Sequence, residues 1–296
     1  MGYTKRFFAI SYITVAFSLA VGLTVPLSQR HDGHQHTARA TCSPRPSGLK
    51  LPAPGDTWNY VLHNPIANPS KIDTTIAVWG IDLFDNTAAT ISTMKGKGAN
   101  VICYFSAGSY EDWRTDASKF IIDDLGNELD GWPGERWADI RIKNVRDIMI
   151  SRLDLAKSKG CNGVDPDNID GFNNDNGLNL KEADSVDYVT FLANEAHKRG
   201  LTISLKNAAS IIPDVIDCVD FSVNEQCHQY TECNDFATFI KHKKPVFQVE
   251  YPKGDEVNND KPVSDSVKKS ICKDPTSAGF STIIKNMNLD NWIQKC

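Results

Sequence analysis

The chain has 296 residues, 41% of them hydrophobic and 23% charged, an ordinary balance for a soluble globular protein of one large or two small domains. Its formal net charge is −5, and beyond residue 40 only 28 basic side chains face 36 acidic ones. Such a body excludes nucleic acid as a partner, because phosphate binding needs basic surface, and it suits a neutral or cationic ligand instead.

Lys5 and Arg6 precede a mostly apolar run from Phe7 to Leu27, so residues 1–27 read as a secretory signal peptide or a signal anchor. Ser18-Leu19-Ala20 offers a small-residue cleavage site. The apolar run continues through Val21, Leu23, Val25 and Leu27, and about twenty residues can span a bilayer, which tips the balance towards an uncleaved anchor. The expected localisation is secreted or anchored at the cell surface, with membrane contact only through this segment. Residues 28–54, rich in His, Arg, Ser and Pro, read as a flexible stalk. Its His31, His34 and His36 fit a solvated linker better than a metal site, and neither metal nor cofactor is expected in the body. Eight cysteines in an exported chain imply disulfides. Cys227 and Cys233 are the first choice for a local bridge, whereas Cys103, inside an apolar strand, reads as core packing.

The remaining residues, 55–296, alternate short apolar runs with helical patterns and read as one domain. Thr74 to Trp79 is a first strand, ending in Gly80-Ile81-Asp82, and a helix from Thr87 to Lys97 follows. Asn100 to Phe105 is a second strand, whose exit delivers Tyr110-Glu111-Asp112-Trp113. A long loop leads to a short third strand, Trp137 to Ile140. The next helix places Val145, Ile148, Met149, Arg152, Leu153 and Ala156 at three- and four-residue steps. Asn162 to Asp165 is a fourth strand. A helix from about Asp184 to Lys198, closed by Gly200, leads to a fifth, Leu201 to Leu205, which ends in Lys206-Asn207. Asp220 to Val223 is a sixth strand, ending in Asn224-Glu225. After a helix from Asp235 to His242, Pro245 to Val249 is a seventh, ending in Glu250-Tyr251. A helix near Ser264 to Cys272 precedes the eighth, Phe280 to Ile284.

Eight strands with helices between most of them predict an α/β protein, a closed (β/α)8 TIM barrel, whose chemistry sits at the carboxyl ends of the strands. Acids gather at those ends: Asp82, Glu111, Asp112, Asp165, Asp167, Glu225 and Glu250. The stretch Gly163 to Gly171 is the most telling. Asp165 and Asp167 are two apart and project to one side of an extended chain, and Pro166 between them ends the regular ladder. An ordinary turn is the plain alternative for Asp, Pro, Asn and Gly, but the other strand ends favour a site.

Carboxylates with aromatic rings (Trp79, Tyr104, Trp113, Trp132, Trp137, Tyr251) around a barrel mouth suit a sugar polymer. Rings stack on sugar faces, and most glycosidases need two carboxyl groups flanking the scissile bond. Taken singly, each ring fits packing between barrel and helix better than a subsite. Strands four and six supply Asp165 or Asp167 on one side and Glu225 on the other, at a spacing that suits either a retaining or an inverting enzyme.

Four ordered motifs, Val101 to Gly108, Gly163 to Asn168, Leu205 to Ala208 and Val223 to Cys227, resemble glycoside hydrolase family 114, and its fungal members most. The likeness runs from about Thr57 to the end. It implies an endo-α-1,4-polygalactosaminidase acting on a partly deacetylated polymer such as galactosaminogalactan. By this resemblance Asp167 is the nucleophile and Glu225 the acid/base. Asp165, Lys206, Asn207, Asn224 and Glu250 would shape the subsites, with Tyr104, Trp113 and Tyr251 lining them and Asp82, Glu111 and Asp112 meeting substrate amino groups. The expected partner is a cationic galactosamine polysaccharide, taken by a monomer. A sugar-binding barrel without catalysis, or a glycosidase for chitosan or a neutral α-glucan, is the alternative.

Overall fold

In the computed structural model, which describes residues 41–296, the sequence folds into a curled nine-stranded sheet wrapped by helices. The first three strands, β1 (Trp58–Val61), β2 (Val78–Asp82) and β3 (Asn100–Ser106), run parallel, with helix α1 (Ala88–Gly96) between the last two. The chain then leaves the barrel to form a separate antiparallel sheet from β4 (Ser109–Glu111), β5 (Leu125–Glu128) and β6 (Glu135–Ala138), in the order β4-β6-β5. It returns through α2 (Lys143–Lys159), β7 (Gly163–Asp167), α3 (Glu182–Lys198), β8 (Thr202–Lys206), α4 (Ile212–Val215) and β9 (Phe221–Glu225). Helices α5 (Cys227–Tyr230) and α6 (Cys233–Lys241), strand β10 (Val246–Glu250), α7 (Asp265–Cys272), β11 (Ser281–Ile284) and a short antiparallel β12 (Gln294–Lys295) complete it.

Eight parallel strands thus build the expected barrel, but two identities change. Trp137 to Ile140 is not a barrel strand: its first residues belong to β6, in the antiparallel insertion. The missing stave is β1, whose seam with β11 is bridged by the Trp58 indole N–H donating to the Ser281 carbonyl at 2.7 Å and by Lys285 donating to Asn59 at 3.1 Å.

Side chains that alternate along each strand make two cores. One face packs against the helices, with Ile81, Val101, Phe105, Val164, Ile203 and Leu205 meeting Leu153, Tyr188 and Leu192. The other fills the barrel with Trp58, Tyr60, Ile102, Phe221, Val223, Phe247 and Val249. Gly80 makes that interior possible: a Cβ there would lie 2.4 Å from the Tyr60 ring. Buried Arg152 on α2 ties down the insertion, donating to Asp116 at 2.9 Å through two nitrogens and to the Ser106 carbonyl.

Four disulfides join Cys42–Cys218, Cys103–Cys161, Cys227–Cys233 and Cys272–Cys296. The local Cys227–Cys233 bridge is as expected. Cys103 is not mere packing, because Cys161 enters just before β7, the neighbour of β3. Bridges of this kind belong to a chain that folds outside the reducing cytosol.

The apolar segment 1–27 and the first part of the stalk lie outside the described residues, and no described helix is long and apolar enough to cross a membrane. Residues 42–50 of the expected stalk form a strap across the pole of the barrel where the strands begin. Cys42 is bonded to Cys218, Arg45 pairs with buried Asp220 at 2.6 Å, and Lys50 donates to the Gly98 and Ala99 carbonyls at 2.9 and 3.1 Å.

Candidate active site

At the opposite pole, three neighbouring strands end in Asp167, Lys206 and Glu225, and each is followed at once by a residue in the left-handed region: Asn168 (φ 59°), Asn207 (φ 48°) and Gln226 (φ 65°). The chain turns away sharply after each functional side chain, which leaves all three at the mouth. The first turn needs Gly108, since a Cβ there would lie 1.6 Å from the Asn168 carbonyl oxygen. Asn168 also holds the end of β7 in place, its backbone N–H donating to Asp167 at 2.8 Å and its side chain to Ser106 at 2.9 Å.

Lys206 Nζ lies 3.0 Å from Asp167 Oδ2 and 2.8 Å from Glu225 Oε2. Those two oxygens are therefore less than about 6 Å apart, which is compatible with the separation of about 5 to 5.5 Å found in retaining glycosidases. Tyr104 donates to Asp167 at 3.0 Å and Tyr251 to Glu225 at 2.5 Å, while the Asn207 side chain accepts the Glu225 backbone N–H at 2.9 Å. Burial alone would weaken the Lys206 ammonium, but the charges of Asp167, Glu225 and Asp165 outweigh it and hold its pKa well above the ordinary lysine value. Burial and the neighbouring carboxylates likewise push Tyr104 and Tyr251 well above 10, so both hydroxyls keep their protons to donate.

Asp165 sits one layer lower, fully buried, accepting hydrogen bonds from Tyr60 at 2.6 Å and from Ser204. Burial raises it to about 6, against the pull of Lys206 and of those two hydroxyls. It supports the mouth from inside the barrel. Tyr60 in turn lies beneath Lys206, whose ammonium is 5.9 Å from the Tyr60 ring centroid and 5.8 Å from that of Tyr104.

Asp82 and Glu111 face the same groove but are occupied by Arg114, at 2.8 Å from each. Glu135, on β6, receives a hydrogen bond from Ser109 at 3.0 Å and is pushed up by burial and by Glu111. Asp112 and Trp113 are exposed on the wall that the insertion supplies, and Asp130 and Trp132 of the same insertion also line the groove. Two expected residues stand elsewhere. Asn224 and Glu250 occupy the strand positions that face the helices. Asn224 accepts the Cys227 N–H at 3.1 Å, and Glu250 accepts the His228 N–H at 2.8 Å and a bond from Gln248 at 2.8 Å. They brace the turn behind Glu225 and do not line the groove. Tyr60, Ser204, Arg114, Glu135 and Asp170 are site residues beyond those the sequence singled out.

The groove encloses about 1320 Å³ and is lined by ten carboxylates against one arginine and one lysine, both already paired. Among the described residues no group of three or more His, Cys, Asp or Glu side chains is arranged to hold a metal ion. An eight-stave barrel with two carboxyl groups within about 6 Å of each other at the carboxyl ends of its strands, in an open groove, has the arrangement of a glycoside hydrolase. The chain belongs to glycoside-hydrolase family GH114, whose profile matches residues 38–296. It is similar to Aspergillus fumigatus Ega3, whose structure in complex with galactosamine is 53% identical over 83% of this chain and 97% of that one, with a TM-score of 0.80. The glycoside hydrolase domain of PelA from Pseudomonas aeruginosa shares the fold at 12% identity, over 81% of this chain and 98% of that one, with a TM-score of 0.61. No curated protein matches the chain.

Proposed function

We propose that the chain is an endo-acting hydrolase of α-1,4-linked galactosamine in a partly deacetylated polysaccharide such as galactosaminogalactan. It works as a monomer, secreted or held at the cell surface through residues 1–27. The observation that carries this reading is the groove itself: it is rich in carboxylates, and its two cations are already bound, so it attracts a polycation. The complex of the 53% identical Ega3 with galactosamine supports the same sugar.

The short separation of Asp167 and Glu225 supports double displacement with retention. Asp167 attacks the anomeric carbon while Glu225 gives its proton to the departing glycosidic oxygen. For that step the contact of Glu225 with Lys206 opens on binding, leaving Lys206 beside the nucleophile. Glu225, now a carboxylate and still held by Tyr251, then takes a proton from the water that opens the glycosyl ester. Trp113 and Trp132 offer stacking faces for sugars further along the groove.

A defined α-1,4-galactosamine oligomer tests both parts. Reducing ends should appear from internal cleavage, and proton NMR should show the α-anomer first. Absence of new ends would remove the proposed substrate, and a first-formed β-anomer would remove the retaining reading.

A further inference from the structure

The buried carboxylates around the cleavage pair have partners, in Arg114 or in the hydroxyls of Ser109, Tyr60 and Ser204, and the pair itself shares Lys206. Asp170 has no such partner. It stands in the groove three residues beyond the nucleophile. Among the described residues its side chain takes a hydrogen bond only from its own backbone N–H. It makes no capping bond to the turn Gly171–Asn173 that starts after it. Asp170 and Asn207 also form the shared wall between the catalytic groove and a second cleft of about 720 Å³ that runs towards α6.

We infer that Asp170 reads the amino group of the substrate: its carboxylate is the counter-ion of the ammonium on a sugar beside the scissile bond, and it sets the preference for galactosamine over N-acetylgalactosamine. The inference rests on the substrate class proposed above. Burial and the like charge of Asp167 push Asp170 up to about 6 against the pull of Lys206, so a cation placed beside it would favour its charged form. An arriving ammonium relieves both effects. An acetamido group brings no charge and sets a methyl group into the same space. The second cleft gives the next sugar room to continue past that contact.

The full chain and its Asp170→Asn variant, close in shape but uncharged, would be compared on an α-1,4-galactosamine oligomer and on its N-acetylated counterpart. For the free-amine oligomer, KM should rise about tenfold or more with kcat within about threefold, as expected for loss of one charge-assisted contact. Selectivity between the two oligomers should fall by the same factor, and Asp170→Glu should keep most of it. Should the asparagine variant not fold, Asp170→Ser repeats the measurement with the same expectation. Unchanged selectivity in a folded variant overturns the inference, and so does a wild-type chain that cleaves both oligomers equally. A wild-type chain that cleaves neither overturns the proposed substrate as well.

Discussion

Lys206 is the residue on which the geometry of the mouth depends. Its single ammonium touches both members of the pair and is itself boxed by the Tyr60 and Tyr104 rings. Replacing it by Met leaves two carboxylates facing each other without a cation, and kcat should fall at least about a hundredfold with a much smaller change in KM, which steady-state kinetics will resolve. If Glu225 is the acid/base proposed above, Glu225→Gln removes its transferable proton and should cost about 10²- to 10⁴-fold in kcat while the circular dichroism spectrum stays that of the wild type. Most of this site was legible in the sequence, because a catalytic group at the end of a barrel strand stands next to a break in the apolar pattern. The misplaced residues follow from period two. Asn224 and Glu250 are each one step out of phase with Glu225 and Tyr251, so they face the helices. Asp170 was hidden in a run of Asp, Asn and Gly that reads equally well as a turn.

At the scale of elements, the exchange of one stave for another has a physical cause. Trp58-Asn59-Tyr60-Val61 is short, carries an amide in its middle and follows Pro54-Gly55-Asp56, so it looks like the end of a linker. What marks it as a stave is long range: its parallel ladder with β2 and the Tyr60 bond to Asp165 across the barrel. Trp137-Ala138, by contrast, has the local composition of a barrel strand but pairs antiparallel with β4 and β5. The cysteines divide in the same way. Cys227 and Cys233, six apart, were readable as a pair, whereas Cys103 and Cys161, 58 apart, meet only because β3 and β7 are neighbours. These two bridges should behave differently. Loss of Cys103–Cys161 by a double serine substitution should cost about 4 kcal/mol of stability on a chain-entropy model, with activity retained below the new Tm. Loss of Cys227–Cys233 should cost only about 2 kcal/mol on the same basis, but lower kcat, because that bridge closes the turn directly behind Glu225. Denaturant titration and kinetics on the two variants separate these outcomes.

For the whole molecule, the buried acids set how stability responds to pH. Asp165 is raised by burial from 3.8 to about 6 in the folded chain. The folded state therefore holds this proton more tightly than the unfolded state does. Its contribution is fully present below pH 3.8 and is lost as pH rises through 6. For a fully buried group the loss is on the order of 3 kcal/mol. Asp170, raised likewise but only partly buried, adds a smaller loss in the same direction. Scanning calorimetry from pH 4 to 7 should thus show Tm falling, and Asp165→Asn should flatten part of that fall. A flat profile in the wild type would remove this account of Asp165. The acids that lower stability towards neutral pH gather at the pole of the groove. The other pole is where the strap is stapled through Cys42 and Arg45. Anything that grips the chain upstream of that staple therefore holds it by the heel, at the pole farthest from the groove, and leaves the rim clear.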